Sequence, residues 1–275
     1  MSNLGRLEDY LRGLGPVAVA VSGGVDSMTL AVIAHRVNPA SRMFHATSPA
    51  VPRQATCRVR QYAEREGWTL SIVDAGEMLD PRYRANPANR CYFCKTRLYD
   101  TVCIHTDLPV VSGTNVDDLG DYRPGLVAAE EHAVFHPYIE AGIDKAGLRE
   151  IAKLLGLDDL KDLPAAPCLS SRVTTGIAIE PEMLPVIDEV EQKLWEFLPP
   201  YLPVSGIRCR VRPGSIALQV ESADLVDDLA DWATEAREIA ARLFDENGYG
   251  DYTGQVTVEP YRRGSAFLID AVQVG

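Results

Sequence analysis

The sequence contains no apolar run approaching the roughly 20 residues of a membrane-spanning helix; its longest, near Pro16–Val21, has the length of a strand. Its first residues, Met1 to Arg6, lack a basic segment followed by a long apolar stretch, the mark of a secretory signal. Cysteine is also scarce, with six among 275 residues, which excludes a disulfide-dense scaffold. We therefore expect a cytoplasmic protein without a membrane partner, whose cysteines serve metal binding or catalysis.

Positive charge is in short supply. The chain has 27 Lys and Arg residues against 39 Asp and Glu residues, a formal net charge of −12. This balance disfavours a general affinity for nucleic acid or for anionic membranes, although a local basic pocket remains compatible with it. The composition is otherwise that of a globular protein, with 46% hydrophobic and 24% charged residues.

Strand-sized apolar runs alternate with helical patterns through the first part of the chain. The predicted strands are Val17–Val21, Met43–Ala46, Leu70–Val73 and Val110–Ser112, and the predicted helices are Asn3–Leu14, Ser27–Val37, Pro52–Glu66, Lys95–Cys103 and Lys145–Leu155. Such alternation predicts an α/β fold, a parallel sheet with helices on both faces. Functional sites in such sheets lie at the carboxyl ends of the strands.

The pattern changes after about Ser170. It predicts a helix over Pro181–Leu198, two short strands around a Pro213-Gly214 turn, and a long helix with an acidic face over Ala223–Phe244. We expect two domains: residues 1–165 form the α/β domain, and residues 166–275 form a smaller α+β domain that serves substrate binding or oligomerisation.

A phosphate-binding loop follows the first predicted strand. It has the sequence Ser22-Gly23-Gly24-Val25-Asp26-Ser27 and precedes an apolar helix. The glycines permit close approach of an anion, the amides and dipole at the helix start favour it, and Ser22 and Ser27 add hydroxyl donors. Asp26 is suited to hold Mg²⁺ against phosphate oxygens. The loop lacks the Gly-Lys-Ser/Thr ending of an ordinary P-loop, which argues against an ATPase that cleaves the γ-phosphate.

An acidic segment follows the strand at Val110–Ser112. Gly113 and Thr114 lead into Asp117 and Asp118, and either carboxylate could share Mg²⁺ with Asp26. The alternative is an Asx-type turn in which Asp117 caps a helix.

Three cysteines attract functional interpretation. Cys91 and Cys94 form a C-x-x-C pair flanked by Arg90 and Lys95, and Cys168 stands in a Pro-rich loop. The pair could form a redox disulfide, half a zinc site or part of an iron–sulfur cluster, whereas Cys168 could act alone as a sulfur donor. The other three, Cys57, Cys103 and Cys209, fall in predicted helices or a strand, and we expect them to be packing residues.

Two arginines alternate along a predicted strand of the second domain. Arg210 and Arg212 therefore point to one face, where paired guanidinium groups suit a nucleotide phosphate. The alternative is surface ion pairing with the acidic helix that follows Glu221.

The hexapeptide Ser22–Ser27 resembles the PP-loop of the ATP pyrophosphatases, enzymes with an adenine nucleotide alpha hydrolase-like domain. That resemblance implies adenylation, in which an acceptor oxygen attacks the α-phosphorus of ATP and pyrophosphate leaves. Five further segments make the chain similar to the LarE family over nearly its whole length. They are Gly113–Asp118, Asp121–Gly125, Gly142–Lys145, Pro167–Arg172 and Arg210–Arg212.

The LarE resemblance implies an ATP-dependent sulfur transferase of nickel-pincer nucleotide synthesis. Its substrate would be pyridinium-3,5-biscarboxylic acid mononucleotide, a small molecule whose carboxylates become thiocarboxylates. One branch of the family sacrifices the cysteine matching Cys168, leaving dehydroalanine. Another branch holds a [4Fe–4S] cluster, which Cys91, Cys94 and Cys168 would bind here.

The resemblance also assigns the remaining roles. ATP would contact Ser22, Gly23, Gly24, Asp26, Ser27, Gly113 and Asp118, with Mg²⁺ on Asp26 and Asp118; Cys168, Asp26 and Glu191 would be catalytic; and Arg172, Arg210 and Arg212 would bind the substrate phosphate. It further implies a homo-oligomer and transient contact with other enzymes of the nickel-pincer pathway.

Four alternatives stay open at the level of sequence. A tRNA-thiolating relative needs a basic surface, and an amidating relative needs an ammonia source. A non-catalytic nucleotide-binding regulatory module would gain nothing from Asp26, Asp118 or Cys168. A zinc-stabilised domain would contain stoichiometric zinc and have no colour.

Overall fold

The computed structural model describes residues 1–120, 123–164, 167–223 and 231–261. The chain divides into two compact units. Unit 1 comprises Met1–Asp80 and Asn89–Ala166, and unit 2 comprises Pro81–Ala88 and Pro167–Gly275. Nothing in the sequence pattern marks the short stretch Pro81–Ala88 as part of the second unit.

Unit 1 is built on a four-stranded parallel sheet. Its strands are β1 (Ala18–Ala20), β2 (Arg42–Ala46), β3 (Thr69–Val73) and β4 (Val110–Val111), in the order β3-β2-β1-β4. The predicted α/β class with a parallel sheet is confirmed.

The described residues form α-helices in both units. They are α1 (Asn3–Leu14), α2 (Val25–Val37), α3 (Arg53–Glu66), α4 (Pro81–Arg84), α5 (Arg90–His105), α6 (Pro124–Glu131), α7 (Pro137–Glu140), α8 (Lys145–Leu154), α9 (Asp158–Lys161), α10 (Met183–Phe197) and α11 (Asp231–Glu246).

Successive side chains of the central strand β1 belong to two different hydrophobic clusters in the core of unit 1. Val19 is fully buried in a cluster that includes residues of α1, α2 and α8, such as Leu11 and Leu148. The adjacent Ala20 belongs to a second cluster with Phe44 and with Tyr99 of α5. Because successive side chains of a strand point to opposite faces, helices cover both faces of this sheet, as predicted.

Unit 2 has a smaller, three-stranded sheet. Strands β5 (Gly206–Arg212) and β6 (Ser215–Glu221) form an antiparallel hairpin, and β7 (Val256–Pro260) pairs in parallel with β6. Helix α10 packs against β5 and α11 against β7, which confirms the smaller α+β part. Sequence analysis identified the hairpin but missed β7, whose short alternating run carries a weak signal.

Three helix boundaries differ from those predicted. Helix α5 begins at Arg90 rather than Lys95, so that the C-x-x-C pair lies within its first turns. Helix α10 begins at Met183, after Pro181 rather than at it. Of the long helix predicted over Ala223–Phe244, the first residue lies in a turn, residues 224–230 lie outside the described residues, and α11 covers the part from Asp231.

None of the described helices has both the length and the apolar character that crossing a lipid bilayer requires.

Candidate functional site

The phosphate loop joins the end of β1 to the start of α2. Gly24 occupies the N-cap of that helix, and Gly23 has a φ of +84°, a conformation that favours glycine. A Cβ on Gly23 would lie 2.8 Å from the carbonyl oxygen of Ala55, so the loop also needs glycine for space. The backbone N–H of Ser22 donates to the hydroxyl of Ser27 over 3.0 Å, and the two hydroxyls lie 3.0 Å apart. The loop is thus closed on itself at the positively polarised end of a helix.

Two side chains brace this loop. The guanidinium Nη1 of Arg58, on α3, donates to the carbonyl of Gly23 over 2.6 Å. His45, at the end of β2, contacts the carbonyl of Val21 through Nδ1 over 2.8 Å and the hydroxyl of Thr56 through Nε2 over 2.9 Å. A carbonyl only accepts, so Nδ1 carries the proton and Nε2 accepts from Thr56. Burial lowers the pKa of both His45 and Arg58.

The acidic segment lies against the start of α2. A Cβ on Gly113 would approach the backbone nitrogen of Ser27 to 2.8 Å, so the phosphate loop and the acidic segment are in direct contact. Asp118 accepts from the backbone N–H of Asn115 over 3.0 Å and pairs with Arg123 over 2.7 Å. Asp117 accepts from the backbone N–H of Lys145 over 3.0 Å, at the start of α8. This contact fits the alternative in which Asp117 caps a helix.

A lysine connects the two segments. Lys145, at the first position of α8, donates its backbone N–H to Asp117, and its Nζ lies 2.5 Å from Oδ1 of Asp26. Burial raises the pKa of Asp26, Lys145 opposes that effect, and the charge of Asp118 raises the pKa further. Asp26 and Asp118 are therefore within electrostatic reach of each other.

Sequence analysis assigned no role to Lys145, Arg58 or His45. For Lys145 the resemblance to the LarE family did include the segment Gly142–Lys145, so a signal was present. For Arg58 and His45 the sequence carries no comparable sign, because their partners are distant along the chain.

The cysteines are divided between the units. Cys91 and Cys94 lie three residues apart on α5 of unit 1, while Cys168 precedes a single 3₁₀ turn of unit 2. The side chains of all three are partly buried. Among the described residues, no group of three or more His, Cys, Asp or Glu side chains is arranged to hold a metal ion.

Two predicted packing cysteines are not buried. Cys57 and Cys103 are exposed, because they lie on the solvent sides of amphipathic helices, and that prediction was wrong. Cys209 is fully buried, and its packing role is confirmed.

Arg172 and Glu191 form a buried ion pair in unit 2. The Nε and Nη2 atoms of Arg172 each lie 2.8 Å from an oxygen of Glu191, and Nη1 lies 2.7 Å from the carbonyl oxygen of Pro167. Glu191 also accepts from the backbone N–H of Cys209 over 2.9 Å. The contacts of both side chains are thus to the protein itself; their predicted roles in phosphate binding and acid catalysis stay predictions.

Arg210 and Arg212 share one face of the smaller sheet. Arg210 donates to Gln219 over 2.5 Å, Arg212 pairs with Glu259 over 2.5 Å, and Gln219 bridges to Glu259 over 2.7 Å. Burial, helped by repulsion from Arg172, lowers the pKa of Arg210 to about 10. Within the described residues, the acidic partner of Arg212 is therefore Glu259 on β7, whereas sequence analysis considered the acidic helix.

Comparison with known proteins places the chain among relatives of similar length. An uncharacterized protein of Synechocystis, slr1717, is 38% identical over 196 residues, which are 69% of this chain and 72% of that protein. The chain belongs to the family of slr1717. An uncharacterized protein of Methanocaldococcus jannaschii, MJ0830, is 28% identical over 250 residues, 90% of each chain. No family model matches the sequence.

A relative of this slr1717-family chain has a functional name. The pyridinium-3,5-bisthiocarboxylic acid mononucleotide synthase of Lactiplantibacillus plantarum is 26% identical over 190 residues, 67% of this chain and 68% of the synthase. This more distant likeness supports the LarE-like family that the motifs indicated.

Proposed function

We propose that the chain is an ATP-dependent sulfur transferase of the LarE type. It would adenylate the carboxylates of pyridinium-3,5-biscarboxylic acid mononucleotide, release pyrophosphate and AMP, and convert the carboxylates to thiocarboxylates. The observation that carries this proposal is the closed phosphate loop beside a half-buried carboxylate, Asp26, whose charge a lysine balances. The distant likeness to a named synthase supports it from an independent side.

The arrangement of unit 1 suits attack at the α-phosphorus. The amides at the start of α2 would bind phosphate oxygens, and Lys145 would neutralise negative charge as pyrophosphate departs. Arg58 donates to the Gly23 carbonyl, which would keep that oxygen occupied and away from a bound phosphate. The carboxylate oxygen of the substrate forms a bond to the α-phosphorus while the bond from the α-phosphorus to the bridging oxygen breaks, which yields a mixed anhydride.

A divalent cation fits the carboxylates of this site. Asp118 raises the pKa of Asp26, which places the two negative charges within electrostatic reach of each other. Magnesium is usually bound by one or two protein carboxylates together with substrate phosphates, so these two side chains are sufficient. Bound there, Mg²⁺ would offset phosphate charge during adenylation.

Sulfur transfer is proposed to occur at Cys168. Its thiolate would attack the carbonyl carbon of the mixed anhydride and displace AMP, forming a thioester. Loss of the Cys168 α-proton to a base, with cleavage of its Cβ–S bond, would release the thiocarboxylate and leave dehydroalanine. Electrons balance without an external oxidant or reductant.

The [4Fe–4S] alternative has less support from the described residues. Cys91 and Cys94, three residues apart on one helix, could each provide a thiolate, but no third ligand joins them in a metal-binding group among the residues described. We therefore derive no step through a cluster, and the cluster stays a prediction.

The substrate phosphate is proposed to bind at Arg210 and Arg212. Both guanidinium groups lie on one sheet face, and only Glu259 balances them in the contacts described above. A phosphate would add bidentate hydrogen bonds to this face.

One experiment tests the proposal. The protein is purified anaerobically and analysed for iron, sulfide and zinc, and its intact mass is measured before and after turnover with ATP and the biscarboxylate mononucleotide. We expect AMP, pyrophosphate and thiocarboxylate, with a mass loss of about 34 Da as the thiol becomes dehydroalanine. Near four irons per chain with unchanged mass would instead establish the cluster branch. Absence of thiocarboxylate would overturn the proposal in favour of an amidating or regulatory protein.

A further inference from the structure

We infer that the Arg172–Glu191 pair is a positioning device that holds the backbone around Cys168 and sets the electrostatic field at its thiol. This inference rests on the proposed use of Cys168 in sulfur transfer. Its structural support is the set of contacts that Arg172 makes with Glu191 and with the backbone around Cys168. It differs from the two roles that the LarE resemblance implies, substrate-phosphate binding for Arg172 and catalysis for Glu191.

The pair is buried and closely matched in geometry. Only 2% of the Arg172 side chain and 9% of the Glu191 side chain are exposed. The guanidinium makes two parallel hydrogen bonds to the carboxylate, and the backbone N–H of Cys209 provides a third donor. With three donors on its two oxygens, the carboxylate is held in one fixed orientation.

The remaining nitrogen of Arg172 acts on the backbone next to Cys168. Nη1 contacts the carbonyl of Pro167 over 2.7 Å, the hydroxyl of Ser171 over 3.1 Å and the carbonyl of Cys168 over 3.4 Å. Ser171 donates both its N–H and its hydroxyl to that same Cys168 carbonyl, over 3.0 and 2.7 Å. The carbonyls on both sides of the Cys168 α-carbon are therefore fixed, which directs its side chain.

Charge coupling gives the pair a second effect. Burial disfavours the charge of Arg172, but Glu191 and, more weakly, the thiolates of Cys168 and Cys209 raise the pKa of Arg172. Two other cations on β5, Arg208 and Arg210, repel it. Glu191 is thus the main counter-charge of Arg172, and without it the positive charge that Cys168 experiences is no longer balanced.

Stability alone does not account for such a pair. Replacing a buried ion pair with well-packed apolar residues is often neutral or stabilising, because desolvation offsets most of the attraction. The ion pair does have a role that apolar residues could not fill. Contact with the carbonyls of both Pro167 and Cys168 requires a side chain with several hydrogen-bond donors.

The test measures alkylation of Cys168 without ATP or nucleotide. Iodoacetamide labelling is followed from pH 6 to pH 10 by mass spectrometry of the tryptic peptide that contains Cys168 as its single cysteine. This peptide spans residues 162–172 in the parent and residues 162–193 in the variant that lacks Arg172. The variants are Glu191→Gln and the double variant Arg172→Gln with Glu191→Gln. The control is Glu196→Gln, which breaks an exposed pair with Lys193 on the same helix.

In Glu191→Gln we expect the midpoint of the alkylation profile to move to lower pH by about one unit, because the guanidinium loses its counter-charge. In the double variant the midpoint should return towards that of the parent, since both charges are gone. The Ser171 amide should then exchange its hydrogen at least tenfold faster, with the rest of unit 2 unchanged. A purely structural role would move both variants in the same direction.

Three results would overturn the inference. One is a Glu191→Gln profile equal to that of Glu196→Gln, and another is a midpoint displaced to higher pH. The third result applies if Glu191→Gln does not fold. It is hydrogen exchange of the Ser171 amide in the double variant at the same rate as in the parent. If the inference holds but the parent makes no thiocarboxylate, the proposed function fails and the positioning role stands.

Discussion

Nζ of Lys145 lies 2.5 Å from Oδ1 of Asp26, although the two residues are 119 positions apart in the chain. Helix α8 thus delivers a cation to the first turn of α2, where the phosphate loop ends. The contact gives Asp26 a partner before any nucleotide is present and places a positive charge where phosphate would bind.

Replacing Asp26 should separate catalysis from stability. Asp26→Asn is expected to reduce pyrophosphate release at least 100-fold, because the amide is a poor cation ligand. Burial raises the pKa of Asp26, so ionisation of this side chain costs folding free energy above its unfolded pKa. The melting temperature at pH 7 should therefore stay equal or rise. Asp9→Asn, an exposed position in α1, serves as the control, and retained pyrophosphate release in Asp26→Asn would contradict the metal assignment.

The pH profile should respond to Lys145. Lys145 lowers the pKa of Asp26. The substitution Lys145→Met should therefore raise the pKa of Asp26, so that this carboxyl group ionises only at higher pH. If the ionised carboxylate is the active form, the acidic limb of pyrophosphate release moves to higher pH, and the KM for ATP rises about tenfold from the lost cation. Lys153→Met, at an exposed position of the same helix, should leave both quantities unchanged. An acidic limb that does not move would show that Asp26 does not limit the rate.

The parts of the site predicted from sequence are those that one continuous segment defines. The glycines, Asp26 and the following helix belong to a single strand–loop–helix unit, so local rules apply to them. Arg58 could not be predicted in the same way, since it reaches Gly23 from 35 residues away. Lys145 depends on how α8 packs, which no local pattern encodes.

The same distinction explains the errors in the fold. The α/β order of unit 1 follows from periodicity, whereas β7 pairs with a strand more than thirty positions earlier and has few apolar residues of its own. Cys57 and Cys103 were assigned to the core by residue type, but their helices present them to solvent. Residue type is a weaker guide than position on the helix face.

Alanine at two glycines should distinguish loop geometry from general stability. In Gly23→Ala and Gly113→Ala a Cβ would approach backbone atoms to 2.8 Å, and Gly23 also has a positive φ. Each substitution is expected to cost about 1–3 kcal/mol and to abolish ATP binding by displacing the loop. Gly13→Ala, in α1 with no atom within 4 Å of the added Cβ, should be neutral or stabilising by up to about 1 kcal/mol. Chemical denaturation and ATP titration measure these effects; wild-type ATP affinity in Gly113→Ala would contradict the contact between the two segments.

Cys168 should be required for sulfur transfer and not for adenylation. In Cys168→Ala the phosphate loop of unit 1 is unaltered, so ATP- and substrate-dependent pyrophosphate release should persist while thiocarboxylate falls below detection. Cys57→Ala provides the matched control, because Cys57 is an exposed thiol remote in sequence from the Pro167–Arg172 segment. Both products are measured in the same reaction, by coupled phosphate assay and by mass spectrometry. Thiocarboxylate from Cys168→Ala would assign the sulfur to another source, whereas loss of pyrophosphate release as well would mean that Cys168 contributes to binding of the acceptor.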